Sequence, residues 1–348
     1  MKVLFVQNPG QLRIEEMEKP KPGPHDILCK VQHCGICATD VAIYKGTLQL
    51  GDGNDPIYPV RLGHEWSGIV TEVGSETWQF KVGDRVVSDT GYFCGECEMC
   101  KRGQYQSCIK GRALGTIRDC WPGALAEYIL IPERMAFRVP DGVALDVAAL
   151  IEPSCIGLYG LIRAGISPEM NILIMGTGPI ALGGMACARA MGTGRIWLAG
   201  RKDKKLEIGR ALGARNTINM TRENLVDIVM RETNGQGMDV IMDTTGAPEL
   251  LNDAMLMLRG SGTLVIPAFY EQELNHVRLD RLIVKNCTLI GAAGTPNMNS
   301  KVLSLLSSGS LDLRPMITDR FPFSDVQNAF EAVSARNATR VKVMVDFE

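Results

Sequence analysis

Histidine is scarce in this chain: its 348 residues include four, His25, His33, His64 and His276, so any imidazole-based site has few members to draw on. Net charge is nearly absent as well. With 37 basic and 39 acidic residues the balance is −2 at pH 7, and no basic stripe runs along the sequence. That excludes the electrostatic footprint of a nucleic-acid or anionic-membrane binder. No apolar run is long enough to span a bilayer. The opening MKVLFVQNPGQLRIEEMEKPKPGPHD turns polar after six residues, too soon for a secretory signal, and reads as a strand hairpin followed by a proline-rich turn. Repeats and low-complexity segments are missing too. These absences leave a globular protein with a small-molecule partner, expected in the cytoplasm.

What is present is length, glycine and cysteine. A chain of 348 residues exceeds what one core usually serves, so two domains are expected. Thirty-seven glycines imply many tight turns and close backbone approaches. Eleven cysteines in a reducing compartment point to metal binding or catalysis rather than disulfides. Four of them, Cys94, Cys97, Cys100 and Cys108, are crowded into YFCGECEMCKRGQYQSC as C-x2-C-x2-C-x7-C. Short C-x2-C spacings aim thiolates into one small volume and suit tetrahedral Zn²⁺. Four thiolates close the coordination sphere, so this site is expected to be structural, stapling a loop too poor in apolar residues to fold alone. Free thiols and an iron–sulfur cluster are the competing explanations.

Any chemistry then belongs elsewhere. CGICATD supplies Cys34, Cys37 and Asp40; LGHEWSGIV supplies His64 and Glu65; ALIEPSCIG carries Glu152 inside an apolar stretch. A lone histidine beside a glycine is commonly a loop residue, but a carboxylate among apolar residues demands an explanation, because burying it unpaired is expensive. Together they can form a mixed site of one thiolate, one imidazole and one or two carboxylates, with room for water or substrate. Only one of Cys34 and Cys37 need be a ligand.

A second signal begins at residue 171. NILIM reads as a short buried strand, and GTGPIA follows it, so Gly176, Gly178 and Ala181 match G-x-G-x-x-G/A ahead of a helical apolar pattern. In that strand–turn–helix context Gly176, Gly178, Pro179 and Ile180 are expected to receive a pyrophosphate at a helix N-terminus. RIWLAG (195–200), MDVIMDTTG (238–246) and GTLVIPAFY (262–270) read as further strands alternating with helices, giving a doubly wound parallel sheet. NAD sites usually carry an acid at the end of the second strand. Here Gly200 stands in that place, followed by Arg201 and Lys202. The missing carboxylate and the paired cations favour NADP over NAD.

These motifs together resemble the zinc-dependent medium-chain dehydrogenases. The resemblance spans nearly the whole chain through CGICATD, LGHEWSG, VGDRV (82–86), the four-cysteine lobe, PGALAEY (122–128), the IEP triplet and GTGPIA; the IEP triplet points to the sorbitol (polyol) and threonine dehydrogenase branch. It implies two domains. A β-rich GroES-like catalytic domain would comprise 1–153 and 292–348, with a structural zinc lobe at about 90–112, and an α/β Rossmann domain would occupy 154–291. Substrate and nicotinamide would meet in the cleft between them. RLIVKNCTLIGAAG (281–294) is expected to begin as strand and VKVMVDF to end the chain as strand. By position, Cys37 and His64 match the two constant catalytic-zinc ligands. Glu65 and Glu152 match carboxylates that ligate directly, through water or in exchange. Asp40 matches an acid that orients His64, Thr39 matches the hydroxyl that passes on the alcohol's proton, and the four lobe cysteines match the structural zinc set. Two zinc ions per subunit, NADP or NAD, and a homodimer or homotetramer are implied.

The implied reaction interconverts a secondary alcohol and its ketone by hydride transfer. Sorbitol itself fits less well: an arginine and an aromatic residue that touch the polyol in sorbitol dehydrogenases are replaced here within GAAGTPNMN (291–299), and a histidine after the zinc cysteine is replaced by Ala42. A cyclitol or other sugar-like substrate is the expectation, with an L-threonine 3-dehydrogenase-like or a general secondary alcohol dehydrogenase as alternatives. A threonine dehydrogenase would carry another histidine in the lobe, and none lies between His64 and His276. A cofactor-binding protein without catalysis would not be expected to keep the open-site residues. The segment QLGDGNDPIYPVR (49–61) is expected at the cleft entrance or as a solvated loop.

Overall fold

The computed structural model of the protein describes residues 1–48, 55–116, 120–270, 272–335 and 339–348. The stretch 49–54 of the expected entrance segment therefore lies outside the described residues. The chain divides into two compact units: Met1–Glu152 with Gly294–Ser307 and Ile317–Glu348, and Pro153–Ala293 with Ser308–Met316. The sequence reading carried 308–316 with the first unit; it packs with the second.

The first unit begins with the expected hairpin, β1 (Lys2–Asn8) against β2 (Gln11–Glu16). Its main sheet contains β3 (Asp26–Ile36), β4 (Glu65–Val73) and β5 (Arg85–Ser88). A short ribbon, β6 (Gly91–Tyr92) with β7 (Arg112–Ala113), brackets the cysteine lobe and its helix α2 (Glu98–Lys101); helix α1 (Ala38–Lys45) follows β3 directly. Strands β8 (Tyr128–Pro132), β9 (Ala136–Arg138), β16 (Ile317–Pro322) and β17 (Lys342–Asp346) complete a seven-stranded sheet. Its order is β16-β17-β3-β4-β5-β9, with β8 also on β3. The last strand of the chain thus lies beside β3, which leads into the first site residues. Helices α3 (Leu145–Ala148), α10 (Asn299–Ser307) and α11 (Val326–Ser334) belong to this unit, and Phe330 of α11 joins Ile27, Ile129 and Trp66 in its core.

Helix α4 (Ile151–Arg163) leads into the second unit. There β10 (Asn171–Met175), β11 (Arg195–Gly200), β12 (Asn216–Asn219), β13 (Met238–Asp243), β14 (Leu258–Ile266) and β15 (Thr288–Gly291) form a parallel sheet in the order β12-β11-β10-β13-β14-β15. Helices α5 (Pro179–Ala190), α6 (Asp203–Ala211), α7 (Leu225–Glu232), α8 (Pro248–Met257) and α9 (Asp280–Lys285) make the successive crossovers. Every residue of β13 is buried, as a strand covered on both faces requires, which is why ILIM of β10 and VIM of β13 read as short apolar runs. The order 3-2-1-4-5-6 is the Rossmann arrangement, with its reversal between β10 and β13.

One element differs from expectation. RLIVK at 281–285 forms α9 rather than strand, and only Thr288–Gly291 is β15. The helix is fixed at its ends: Asp280 sits in the first turn and Asn286 closes it in the left-handed conformation at φ 52°. Lys285 Nζ donates to the carbonyls of Leu256 and Leu258 at 2.6 Å, tying the helix to β14.

Candidate active site

The site is assembled by the entry to α1 and the register of three strands. Cys37 is the N-cap of α1, and Asp40 at the third helical position reaches back, its Oδ2 accepting the Cys37 N–H at 2.8 Å. Thr39, half-buried, lies in the same first turn. β3 pairs with β4 so that Gly35 faces Glu65, and His64 immediately precedes β4. Ligand atoms of Cys37, His64 and Glu65 all lie within 4.8 Å of one another. Glu152, in the first turn of α4, is buried but outside that sphere. Cys34 is excluded as well: it is wholly buried in β3, its thiol directed to the Gly35 carbonyl at 3.7 Å. Of the two cysteines in CGIC, the backbone presents Cys37.

Behind these residues stands a group that the sequence reading missed. Lys342 of β17 is 2% exposed, and its Nζ donates to Glu65 Oε1 at 2.7 Å and to the Ile36 carbonyl at 3.1 Å, with Glu65 Oε2 at 2.5 Å. A Cβ at Gly35 would fall 2.3 Å from Glu65 Oε2, so glycine is required for the pair to lie across β3.

The buried groups around Cys37 interact strongly through their charges. Three buried carboxylates, Asp40, Glu65 and Glu152, face one buried ammonium. Desolvation, with the Glu65 carboxylate adding to it, pushes the Cys37 thiol up to about 12. Burial pushes Glu152 up to about 8 against the pull of His64. For His64 burial disfavours the charged ring, yet Asp40, Glu152 and Glu65 outweigh it and hold its pKa above the ordinary value. Asp40 Oδ1 and His64 Nδ1 stand 3.6 Å apart, both buried without a hydrogen-bond partner. That is the placement of a carboxylate that orients a metal-bound imidazole through its other nitrogen. Thiol, imidazole and carboxylate donors together with this unclosed Asp40–His64 pair suit a divalent zinc ion.

The lobe presents a second donor set. The sulfurs of Cys94, Cys97, Cys100 and Cys108 lie within 4.8 Å of one another, with Cys94–Cys108 at 3.6 Å and Cys94–Cys100 and Cys97–Cys108 at 3.9 Å. None is disulfide-bonded. A tetrahedron with metal–sulfur bonds of about 2.3 Å has edges of about 3.8 Å. Backbone N–H groups of Cys100 and Ile109 lower the Cys97 thiol to about 6, and that of Glu96 lowers Cys94. Around the cluster the packing is aromatic and thin: Tyr92 stacks on Trp121, Phe93 stacks on Tyr105, and Arg134 lies over Tyr92 and Phe93.

In the second unit the glycine turn follows β10. Gly176 has φ +114°, and a Cβ there would collide with Thr244 Oγ1 at 2.1 Å. Gly178 caps α5, with Pro179 at its first position and half-buried Ile180 next. Gly200 ends β11, where a Cβ would stand 2.5 Å from Thr177 Cγ2, so any side chain there would have to displace Thr177. Arg201 and Lys202 are exposed and have no carboxylate partner among the described residues. Asp203, the nearest acid, is engaged elsewhere, by Asn219 Nδ2 at 2.7 Å and Arg222 at 2.5 Å.

Residues 23–141 match the family described as alcohol dehydrogenase GroES-like domain, and residues 179–308 match zinc-binding dehydrogenase. L-idonate 5-dehydrogenase of Vitis vinifera is 34% identical over 340 residues, covering 96% of this chain and 91% of the relative. The chain belongs to the zinc-type medium-chain dehydrogenase family. Sorbitol dehydrogenase of Bacillus subtilis (strain 168), another family member, is 32% identical over 347 residues, 99% of this chain and 97% of the relative. A zinc-binding dehydrogenase of Sinorhizobium meliloti 1021, solved bound to NADP, superposes with a TM-score of 0.90 at 28% identity, covering 99% of this chain and 98% of that one. The fold is that of the medium-chain dehydrogenases, a GroES-like domain plus a Rossmann domain, and the protein is a zinc-type dehydrogenase. Among the described residues, no helix is long and apolar enough to cross a membrane.

Proposed function

We propose that the protein interconverts a secondary alcohol of a polyol, cyclitol or sugar-like substrate and its ketone, with NADP(H) as hydride carrier. The observation that carries this reading is the convergence of Cys37, His64 and Glu65 in one small volume. A zinc ion held by Cys37, His64 and Glu65 would act as a Lewis acid on the alcohol oxygen, and the nicotinamide would accept the hydride. Oxidation would balance as secondary alcohol plus NADP⁺ giving ketone, NADPH and the proton of the hydroxyl. Thr39 carries that proton outward. Asp40 sets the tautomer and orientation of His64, and Glu152 is the carboxylate that acts through water or in exchange. Lys342 holds Glu65 against β3 through their ion pair.

The lobe cysteines hold a second, structural zinc, giving two per chain. NADP is favoured because Gly200 offers no carboxylate and Arg201 and Lys202 are free to meet a 2′-phosphate; the Sinorhizobium relative was solved with NADP bound, while a relative from E. coli CFT073 was solved with NADH. The segment 291–299 supplies no cation, and its Thr295 hydroxyl is spent on Asp89 Oδ1 at 2.7 Å, which supports a neutral, hydroxyl-bearing substrate. A homo-oligomer is part of the proposal: Ile283, Val284 and Leu289 are 72%, 82% and 45% exposed on α9 and the edge strand β15.

The test is cofactor reduction followed by absorbance, with open-chain polyols, cyclitols, simple secondary alcohols and threonine, each offered with NADP⁺ and NAD⁺. Turnover of a polyol or cyclitol with NADP⁺ preferred is expected. Preference for threonine would overturn the substrate class, and preference for NAD⁺ the 2′-phosphate reading. Light scattering that finds a monomer would remove the oligomer.

A further inference from the structure

The strand order assigns each half of a dinucleotide to a part of the second unit. β10, β11 and β12 form one mononucleotide half and β13, β14 and β15 the other, reversing between β10 and β13. The glycine turn after β10 and the end of β11 take the pyrophosphate and the adenosine ribose. The carboxyl ends of β13 and β14 are left for the nicotinamide half.

A buried carboxylate stands there that the reading above does not use. Asp243 ends β13 and is 0% exposed. Its Oδ1 accepts from the Thr245 N–H at 2.8 Å and the Thr245 hydroxyl at 2.6 Å; its Oδ2 accepts from the Tyr270 hydroxyl at 2.7 Å. Tyr270 lies past the end of β14, so this one side chain joins the loops that leave two neighbouring strands. Backbone packing repeats the join: Gly246 has φ +60°, and a Cβ there would stand 2.4 Å from the Phe269 carbonyl oxygen. The same loop is fastened on its other side to the glycine turn. Thr244 donates to the Met175 carbonyl twice, from N–H at 2.9 Å and from Oγ1 at 2.8 Å. A connected set of bonds therefore runs from the pyrophosphate turn through Thr244, Asp243 and Thr245 to Tyr270. A buried carboxylate is a costly way to fill space, and apolar side chains would hold two loops together at less expense. Directional bonds are what it adds.

We infer that Asp243, through Tyr270 and Thr245, is a positioning residue for the nicotinamide half of the cofactor, holding loops 244–246 and 267–270 at a fixed separation across the ends of β13 and β14. The inference rests on the dinucleotide reading of the second unit. Burial, and after it the bond to Asp243, keep the Tyr270 phenol protonated well beyond its ordinary range, so the donor persists at working pH.

The experiment uses the full-length, zinc-loaded protein and the variants Tyr270→Phe and Asp243→Asn. Wild type is first titrated with NADPH and NADH by nicotinamide fluorescence. Tighter NADH would refute the 2′-phosphate reading alone, and the variants would then be tested with NADH and AMP. A wild type that binds neither overturns both ideas. Each variant is titrated with the preferred reduced cofactor and, by calorimetry, with the adenosine fragment that lacks the nicotinamide half, adenosine 2′,5′-bisphosphate for NADPH. Loss of one hydrogen bond to a charged group predicts that Tyr270→Phe weakens the whole cofactor about tenfold and changes its bound emission, while the fragment stays within about twofold. Asp243→Asn should act in the same sense and more strongly. Equal weakening of both ligands would mean a structural role only, and no change in either would remove the role. Should Asp243→Asn fail to fold, Tyr270→Phe, which keeps the ring, decides.

Discussion

Lys342→Met is the substitution that probes the buried charge balance most sharply. In the wild-type protein Lys342 carries the only buried lysine or arginine charge among the described residues, and its Nζ is 2.7 Å from Glu65 Oε1. Methionine keeps most of the stem and removes the charge. Breaking a buried pair on one side costs about 3–5 kcal/mol, because the surviving charge is left uncompensated. In a domain of this size about 1 kcal/mol corresponds to about 2–4 °C in Tm, so the metal-stripped variant should melt roughly 10 °C lower than stripped wild type. A zinc ion on Cys37, His64 and Glu65 supplies the lost positive charge, so the zinc-loaded variant should recover most of that deficit. The assay is differential scanning calorimetry on loaded and chelator-stripped samples of both proteins. Loss of the lobe zinc contributes equally to both and cancels in the difference. If Lys342→Met lowered Tm by the same amount with and without zinc, the ammonium and the metal would not share Glu65, and the reasoning would fail.

Other outcomes follow from the same geometry. Glu152 is raised to about 8 and His64 above its ordinary value, so in stripped protein both bind protons more tightly folded than unfolded. Their contribution is present at low pH and fades as pH rises through the folded values, so between about pH 5 and 8 stripped protein should lose stability relative to loaded protein, as read by urea midpoints at several pH values. Arg201→Ala should weaken NADPH about tenfold or more and leave NADH nearly unchanged, measured by fluorescence titration; equal weakening would remove the 2′-phosphate contact. Cys100→Ala should lower metal content from two zinc ions per chain to one and destabilise the lobe toward proteolysis, while NADPH affinity stays at the wild-type level.

Much of this was legible in the sequence because it depended on local spacing. The C-x2-C-x2-C-x7-C run carries its tetrahedron within a few turns of chain, and GTGPIA sits between a strand and a helix that are both visible from apolar pattern. What escaped was set by register or by long-range contact. The spacing of CGIC left Cys34 and Cys37 both open, and only the family resemblance pointed to Cys37, because which cysteine faces the site depends on where β3 ends and α1 begins. Lys342 is a lysine in an apolar strand, a signal available in VKVMVDF, but its partner Glu65 is distant in sequence and adjacent only through β3. Asp243 and Tyr270 meet through the parallel pairing of β13 and β14. RLIVK is short and β-branched, which suits either helix or strand, and the left-handed Asn286 and the reach of Lys285 decided it.

The most direct measurement is Cys37→Ser, assayed together for bound zinc, NADPH affinity and reduction of NADP⁺ by whichever secondary alcohol the wild type prefers. The account predicts one zinc ion per chain instead of two, unchanged NADPH binding and no detectable turnover. A variant that kept most of its turnover, or that lost NADPH binding along with it, would contradict the assignment of Cys37, His64 and Glu65 as the catalytic metal site.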